Sequence, residues 1–561
     1  MKIVLSTLNA KYIHTSLALR WLYVANKERF DVSFIEFVIK EDLNTVAHKL
    51  LQTNCDVLGL SVSIWNVQQT RALIDKLKSL RPELIIFIGG PEVMYEPDFF
   101  LEQWNIDYLI GGEGEFVTGE LFEALEQGVR EVSIKGVSYP GHIDRTIVQA
   151  DINRLVELDS PYQLACDKDS LIHRVVYLET SRGCPYQCQY CLSSLEKGVR
   201  YFPQEYIFEN MKYLIDEGAH LIKFLDRTFN LNQEHTYGIF RFLIEHYRPG
   251  LSCQFEIYAD LLKDEMINYL NTELPDNYFR FEIGIQSTYE PTNLEVKRRQ
   301  DFQLLASNIR KLLAGGKIDL HLDLIAGLPF ETYERFIQSF NDVFALGAKE
   351  VQLGFLKMLR GTNLRKNAAK YGYQFDPEAP YEIFYNDAIS AKELELIHRA
   401  EEALDRYWNS GRFSRSLSYL VENHYKGRYF EFFLALNNYY NEKNFPAFGY
   451  QLEDVFQVLS GFLEERGISI FHLLRNDYYD NYTLRPHGFW KDTRTKKEKK
   501  ALLQRVLQDK EFLEENQLSA TQIEKYATLD LISDKTVEIT LFHVRENKQT
   551  PHPRFYYELK D

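Results

Sequence analysis

Cys184, Cys188 and Cys191 fall within eight residues, in the run Thr180-Ser181-Arg182-Gly183-Cys184-Pro185-Tyr186-Gln187-Cys188-Gln189-Tyr190-Cys191. Three thiolates from one short loop can each ligate an iron of a cubane cluster, leaving the fourth iron open to a small ligand. Gly183 and Pro185 suit the sharp turn that such wrapping needs. The competing use of this spacing is structural zinc, which closes four ligands, usually as two paired knuckles. Cys55, Cys166 and Cys253 are scattered and supply no second knuckle, and the six cysteines together do not form a secreted disulfide framework.

The cysteine loop directly follows an apolar run, Val175-Val176-Tyr177-Leu178, of strand length. Further strands are expected at 221–226, 253–258, 279–285, 318–325 and 350–356, with helical patterns such as 232–247 and 300–314 between them. Six strands alternating with helices predict a barrel or partial barrel, with its reacting residues on loops at the strands' C-terminal ends. Ahead of it, nearly continuous apolar runs at 2–8, 32–39, 56–64, 84–90 and 106–111 predict a parallel sheet covered on both faces. Such a doubly wound, Rossmann-like domain binds ligands beyond the C-terminal ends of its strands. After residue 370 the alternation stops, and 375 to about 515 reads mainly as helices, with strands again near Val537-Glu538-Ile539-Thr540-Leu541. The expected domains are therefore 1–145, 165–370 and a mainly helical 371–561.

With Tyr190 as the aromatic before the third cysteine, the loop is similar to the C-x3-C-x-aromatic-C signature of the radical S-adenosylmethionine superfamily. Phe281-Glu282-Ile283-Gly284-Ile285-Gln286-Ser287 and Asp323-Leu324-Ile325-Ala326-Gly327-Leu328-Pro329 resemble strand-end segments of its members. The resemblance implies a 4Fe-4S cluster on the three cysteines, whose open iron chelates S-adenosylmethionine, and a 5′-deoxyadenosyl radical. It also makes Tyr190, Glu282, Gln286, Asp323 and Gly327 candidate contacts to S-adenosylmethionine, with Gly327 allowing close approach to the adenine. Phe224-Leu225-Asp226-Arg227-Thr228-Phe229 is similar to an F-x-D-D-x-F run of relatives, except that Arg227 replaces the second acid.

A doubly wound domain ahead of the barrel resembles the cobalamin-binding subfamily. Ser61 and Ser63 at the third strand, Gly89-Gly90 at the fourth, and Gly111-Gly112-Glu113-Gly114-Glu115 after the fifth match its strand-end motifs in order. The small residues are expected to let the cobalamin tail slide between strand ends. The D-x-H-x-x-G loop that carries a cobalt-ligating histidine is missing; Asn9-Ala10-Lys11-Tyr12-Ile13-His14 stands there instead. Asn9, Tyr12 and His14 are candidate cobalamin contacts, His14 more as a hydrogen-bonding or structural residue than as a cobalt ligand. Trp65 is a candidate cover for the lower corrin face. No G-x-G-x-x-G follows the first strand, which argues against a dinucleotide.

The resemblance covers residues 1 to about 370 and implies a cobalamin-dependent radical enzyme, with methyl transfer to an unactivated carbon ahead of cyclisation or rearrangement. A tetrapyrrole-handling cofactor chaperone is the rival from another class. The expected partners are a small-molecule or biosynthetic-intermediate substrate and an electron donor such as flavodoxin or ferredoxin. A formal net charge of −16 over 561 residues excludes a surface-wide grip on nucleic acid. The run Arg494-Thr495-Lys496-Lys497-Glu498-Lys499-Lys500, below Arg485, His487 and Trp490, reads as a solvated helix face before it reads as an RNA patch. The aromatics Phe430, Phe432, Phe433, Tyr439 and Tyr440 read as core of a helical region expected to close the barrel mouth. No apolar stretch reaches membrane-spanning length and the first residues do not form a signal peptide, so a cytoplasmic location without membrane insertion is expected.

Overall fold

The structure is a computed structural model that describes residues 1–196, 198–446, 449–482, 494–533, 535–542 and 552–559. The chain forms two compact units, Met1–Leu394 and Glu395–Asp561.

The first unit opens with a six-stranded sheet of order β2-β1-β3-β4-β5-β6. Its strands are β1 (Lys2–Asn9), β2 (Asp31–Val38), β3 (Val57–Ser61), β4 (Ile85–Gly89), β5 (Tyr108–Ile110) and β6 (Val137–Ser138). The first five are parallel, and the two-residue β6 adds antiparallel to β5. Successive strand residues point to opposite faces. Ile3 and Leu5 join one core with Leu19 and Leu121, while Val4 and Leu8 join another with Leu73 and Leu77. Burial on both faces explains why these strands read as continuous apolar runs.

The second sheet of this unit has the order β14-β13-β12-β11-β10-β7 and is parallel throughout. Its strands are β7 (Val176–Leu178), β10 (Leu221–Phe224), β11 (Ser252–Ile257), β12 (Phe279–Gln286), β13 (Asp319–Ala326) and β14 (Glu350–Phe355). Strands pair in chain order and β7 and β14 stay at opposite edges, which is the expected open (β/α)6 barrel. Between β7 and β10, the short strands β8 (Ser181–Gly183) and β9 (Val199–Tyr201) pair antiparallel and carry the cysteine loop between them. A small hairpin, β15 (Gln374–Phe375) with β16 (Ile383–Tyr385), also belongs to this unit. The expected boundary at 371 thus differs from the packing, because Ile383, Tyr373 and Tyr381 are buried in the first unit, which continues to Leu394.

The second unit is mainly helical, and its three strands, β17 (Ala527–Leu531), β18 (Thr536–Leu541) and β19 (Arg554–Glu558), form an antiparallel sheet. Phe430, Phe432, Phe433, Tyr439 and Tyr440 are buried, as core residues should be. Lys496, Lys497, Lys499 and Lys500 are exposed on the first turns of the helix Lys496–Gln508, which Thr495 and Glu498 cap reciprocally. That is the solvated face expected of the basic run; Arg485, His487 and Trp490 lie outside the described residues. Among the described residues no helix is long and apolar enough to cross a membrane.

Candidate functional site

The cysteine loop is shaped by its flanks. Gly183 has φ +94°, and a Cβ there would stand 2.2 Å from the Gly198 carbonyl oxygen, so the β8–β9 closure requires glycine. Just before it, Asp226 at the end of β10 accepts from the Thr180 amide at 3.0 Å and from the Thr180 and Ser181 hydroxyls at 2.7 and 2.5 Å. Burial pushes this carboxyl up to about 6. Asp226 therefore fixes the strand that leads into Cys184, and Thr228 Oγ1 lies 3.7 Å from the Cys184 sulfur. Farther along, the Gln189 amide donates to the Val296 carbonyl at 2.9 Å, and Tyr186 stacks on Tyr258 with ring centroids 4.4 Å apart.

Cys184, Cys188 and Cys191 line one cavity of about 280 Å³ at the barrel mouth, together with Tyr190, Glu282, Gln286 and Asp323. Three residues not singled out from the sequence, Arg298, Tyr258 and Glu256, also reach it. Among the described residues no three His, Cys, Asp or Glu side chains gather as ligands of one ion. A cubane asks for something different, one thiolate on each of three irons, and three thiols around one cavity fit that demand.

Gln286 carries the strongest local signal. It has φ +68° at a register shift of β12, and its Oε1 is buried without a hydrogen-bond partner among the described residues. A non-glycine residue held there stores roughly 1–3 kcal/mol of strain, and such outliers cluster at ligand sites. Gly284 makes room for it, since a Cβ there would lie 2.2 Å from Gln286 Nε2. Ser287, the next residue, donates to Glu331 at 2.6 Å, as does Ser339. Arg298 is 6% exposed and donates to the Tyr258 hydroxyl at 2.8 Å, to Gln300 at 3.0 Å and to the Gly284 carbonyl, with no carboxylate in ion-pair range among the described residues. A buried guanidinium without an acid is poised for an anionic ligand group.

Two expected contacts have other duties. Glu282 faces the cavity but is already paired with Lys223 at 3.0 Å and accepts from Gln254. Gly327 does not line the cavity: at φ +89° a Cβ would strike Ile383 Cδ1 at 2.1 Å, and its carbonyl accepts from Tyr373 and Asn386. Its glycine serves the packing of the β15–β16 hairpin.

A second cavity of about 280 Å³ covers one face of the sheet from Leu5 of β1 to the C-terminal ends of β3, β4 and β5, the end at which a doubly wound sheet binds ligands. Ser61, Gly89, Gly90, Gly112 and Glu113 line it with Leu5, Leu17, Phe87 and Ile110, and the barrel contributes Glu179, Arg182 and Leu225. Strand ends of both domains thus meet at one cavity. A largely apolar slot with a few polar groups at strand ends fits a flat nucleotide tail. Gly90 and Gly112 nevertheless have a backbone reason to be glycine. At φ +113° and +98°, added Cβ atoms would stand 2.6 and 2.2 Å from the Val62 and Val148 carbonyl oxygens.

The other five candidates in this domain do not reach the cavity. Asn9 donates to the His14 carbonyl and to Glu36, each at 3.1 Å. His14 Nδ1 is 2.7 Å from the Tyr177 hydroxyl of β7, so this loop is a joint between sheet and barrel. Burial, then Lys11, Lys223 and Arg174, hold the His14 pKa below its ordinary value. Ser63 is buried, its amide donating to Asn66 at 2.8 Å. Tyr12 and Trp65 stand exposed just past the ends of β1 and β3.

The joint is strongest at Arg182, two residues before Cys184. It lies 2.9 Å from Glu113, 2.8 Å from Glu115 and 2.7 Å from Glu179, and Glu179 also accepts from Trp21 Nε1 at 2.6 Å. Arg200 of β9 pairs with Glu113 as well. Both acids of the Gly112-Glu113-Gly114-Glu115 run therefore engage the arms of the cysteine loop, Glu113 through both oxygens and Glu115 through one. Nothing in their spacing announces this, because both arginines come from a distant part of the sequence.

Three family models match consecutive stretches: "B12 binding domain" over residues 3–122, "Radical SAM superfamily" over 178–343 and "Protein of unknown function (DUF4080)" over 369–553. An uncharacterized methyltransferase of Pyrococcus horikoshii is 30% identical over 236 residues, 40% of this chain and 51% of that protein. TokK of Streptomyces tokunonensis, a cobalamin-dependent radical SAM methyltransferase, is 24% identical over 348 residues, 58% of this chain and 50% of its own. The chain spans about half the length of these curated relatives. The solved structure of OxsB, a cobalamin-dependent S-adenosylmethionine radical enzyme with aqua-cobalamin and S-adenosylmethionine bound, shares the fold. It gives a TM-score of 0.58 at 16% identity, covering 85% of this chain and 78% of OxsB. The chain thus carries a region that matches a B12-binding domain and, after it, a region that matches the radical SAM superfamily, both within one compact unit.

Proposed function

We propose that this protein is a cobalamin-dependent radical S-adenosylmethionine methyltransferase acting at an unactivated carbon of a small molecule or biosynthetic intermediate. The observation that carries the reading is the pair of cavities in one compact unit, one lined by three cysteines and the other by the strand ends of a B12-binding domain. The methyltransferase names of the Pyrococcus horikoshii and Streptomyces tokunonensis relatives favour methyl transfer over cyclisation or rearrangement. When bound, cobalamin supplies a transferable methyl group, and the cluster with S-adenosylmethionine supplies a hydrogen-abstracting radical.

The chain's own residues bind and orient. Cys184, Cys188 and Cys191 hold the cluster. Arg298 takes the carboxylate of the methionine portion, and Gln286, strained and short of one partner, takes a donor of S-adenosylmethionine. Asp323 and Tyr190 complete that wall, and Glu282 keeps Lys223 and Gln254 in place behind it. Ser61, Gly89, Gly90, Gly112 and Glu113 border the cobalamin tail. Asp226 and Arg182 fix the cluster loop so that radical source and methyl donor meet one substrate, the positioning that makes a difficult step effectively unimolecular. A low-potential donor such as flavodoxin or ferredoxin reduces the cluster.

Product stoichiometry under strong anaerobic reductant tests the reading. Methyl transfer gives 5′-deoxyadenosine and S-adenosylhomocysteine in equal amounts. Substrate-dependent 5′-deoxyadenosine without S-adenosylhomocysteine overturns it in favour of cyclisation or rearrangement.

A further inference from the structure

Glu115 differs from the other acids around Arg182. Glu179 engages both oxygens, on Arg182 and Trp21, and Glu113 engages both, on Arg182, Arg200 and the Ala150 amide. Glu115 sets Oε1 2.8 Å from Arg182, while its Oε2 is buried with no partner among the described residues. The residue is 6% exposed and lines the strand-end cavity beside Arg182 and Glu179. Three carboxylates surround two arginines here, so the cluster is one positive charge or one donor short. An unsatisfied buried acceptor costs about 1–3 kcal/mol. Among the described residues, Thr118 spends its hydroxyl on the Gly114 carbonyl at 2.9 Å, and Leu17, Leu22 and Ile110, which line the same cavity, offer no side-chain donor. A ligand in the cavity is the remaining source.

We infer that Glu115 and Arg182 form a relay between the two cofactor sites. A hydrogen-bond donor on the cobalamin tail (an amide or a ribose hydroxyl) completes the Glu115 carboxylate. The same carboxylate then fixes Arg182 and, through Gly183, the position of Cys184. Filling the strand-end cavity thereby tunes the cluster loop before any substrate arrives. Glu115 and Arg182 are positioning residues, not catalytic ones, and the inference rests on the cobalamin reading above.

The test uses the full chain with its cluster assembled anaerobically and hydroxocobalamin as the probe. Cobalamin affinity is read by visible difference titration, and the reduced cluster by electron paramagnetic resonance with and without cobalamin. In the unmodified protein, cobalamin shifts the cluster signal. Glu115→Gln weakens cobalamin on the order of tenfold and abolishes the shift, the size expected of coupled sites. Arg182→Lys keeps a charge but cannot span three carboxylates, so it still binds cobalamin and loses the shift. Coupling of the two sites also requires that removing the cluster change cobalamin affinity. Unmodified protein that binds cobalamin without a shift overturns the relay and leaves the cobalamin reading standing. Glu115→Gln with unchanged affinity and shift does the same. Should Glu115→Gln fail to fold, Arg182→Lys decides alone, and a persisting shift there overturns the relay. Unmodified protein that takes up no cobalamin overturns the cobalamin reading itself, and the relay with it.

Discussion

The strand-end cavity and the barrel-mouth cavity have the same volume, about 280 Å³ each, and unlike walls. Around the first, leucines, phenylalanine and glycines form most of the lining, and its acids are tied to Arg182 and Arg200, with one oxygen of Glu115 unpartnered among the described residues. Around the second, cysteines, tyrosines, acids and arginines converge, and two groups, Gln286 Oε1 and the Arg298 guanidinium, keep capacity for a ligand. The difference teaches how far a motif can be trusted. Charged residues at a barrel mouth have few structural uses, so their convergence points to ligand. Glycines at the strand ends of a doubly wound sheet also serve backbone approach, as Gly90 and Gly112 do, so their presence points to ligand more weakly.

The largest expected effect falls on the barrel side. Cys184→Ala, Cys188→Ala or Cys191→Ala each loses the roughly four irons of the reconstituted protein and all 5′-deoxyadenosine, while cobalamin uptake at the other cavity persists. Iron analysis and product assay check this. Full cluster content in any one variant breaks the assignment of that cysteine.

Next comes Arg298. Arg298→Ala leaves the Tyr190 and Tyr258 hydroxyls and the Gly284 carbonyl without their charged donor. It should weaken S-adenosylmethionine by at least tenfold and lower stability by about 2–3 kcal/mol. Arg298→Lys restores the charge and part of the stability but not the affinity, as measured by equilibrium binding and thermal unfolding. Equal binding by all three proteins removes Arg298 from the site.

A smaller, pH-dependent effect sharpens the picture of what supports Gln286. Burial pushes Glu331 up to about 7 although Ser287 and Ser339 donate to it. A carboxyl whose folded pKa is raised favours folding below its unfolded pKa. That contribution, on the order of 3 kcal/mol, is lost as pH rises from about 4.5 through 7. Glu331→Gln keeps an acceptor for both serines and cannot ionise, so its unfolding midpoint should vary less between pH 5.5 and 8 than that of the unmodified protein. Identical slopes show that Glu331 does not titrate there.

The smallest effect is expected at His14. With Nδ1 on Tyr177 and the loop acting as a joint, His14→Ala should cost about 1 kcal/mol and leave the spectrum of bound cobalt unchanged. A nitrogen coupling in the cobalt(II) resonance that disappears in His14→Ala makes this histidine a ligand and places the first loop at the corrin.

Much of the architecture was legible because it depends on local pattern. Runs buried on both faces mark parallel strands wherever they occur, and all six barrel strands were expected within about two residues of their observed positions. The short antiparallel β6 was missed, since two residues leave no periodicity to read. That Cys184, Cys188 and Cys191 converge on one cavity was legible for a related reason: side chains delivered by one loop have their spacing written in the chain. Arg298 was not. It lies 107 residues beyond Cys191, and only the turn after β12 brings it beside Tyr190.

What the sequence by itself determined was the order of the two sheets and the helical region and the spacing of the cysteine loop, which rest on patterns among near neighbours along the chain. Tertiary structure alone decided which polar residues are free to meet a ligand. Glu113 and Glu282 looked available until Arg182, Arg200 and Lys223 were seen to pair with them, and Gly327 proved to have a packing reason to be glycine beside Ile383. The reason is that a carboxylate's role is set by the charge nearest to it in space. In a sheet of parallel strands that charge comes from another strand, tens of residues away along the chain.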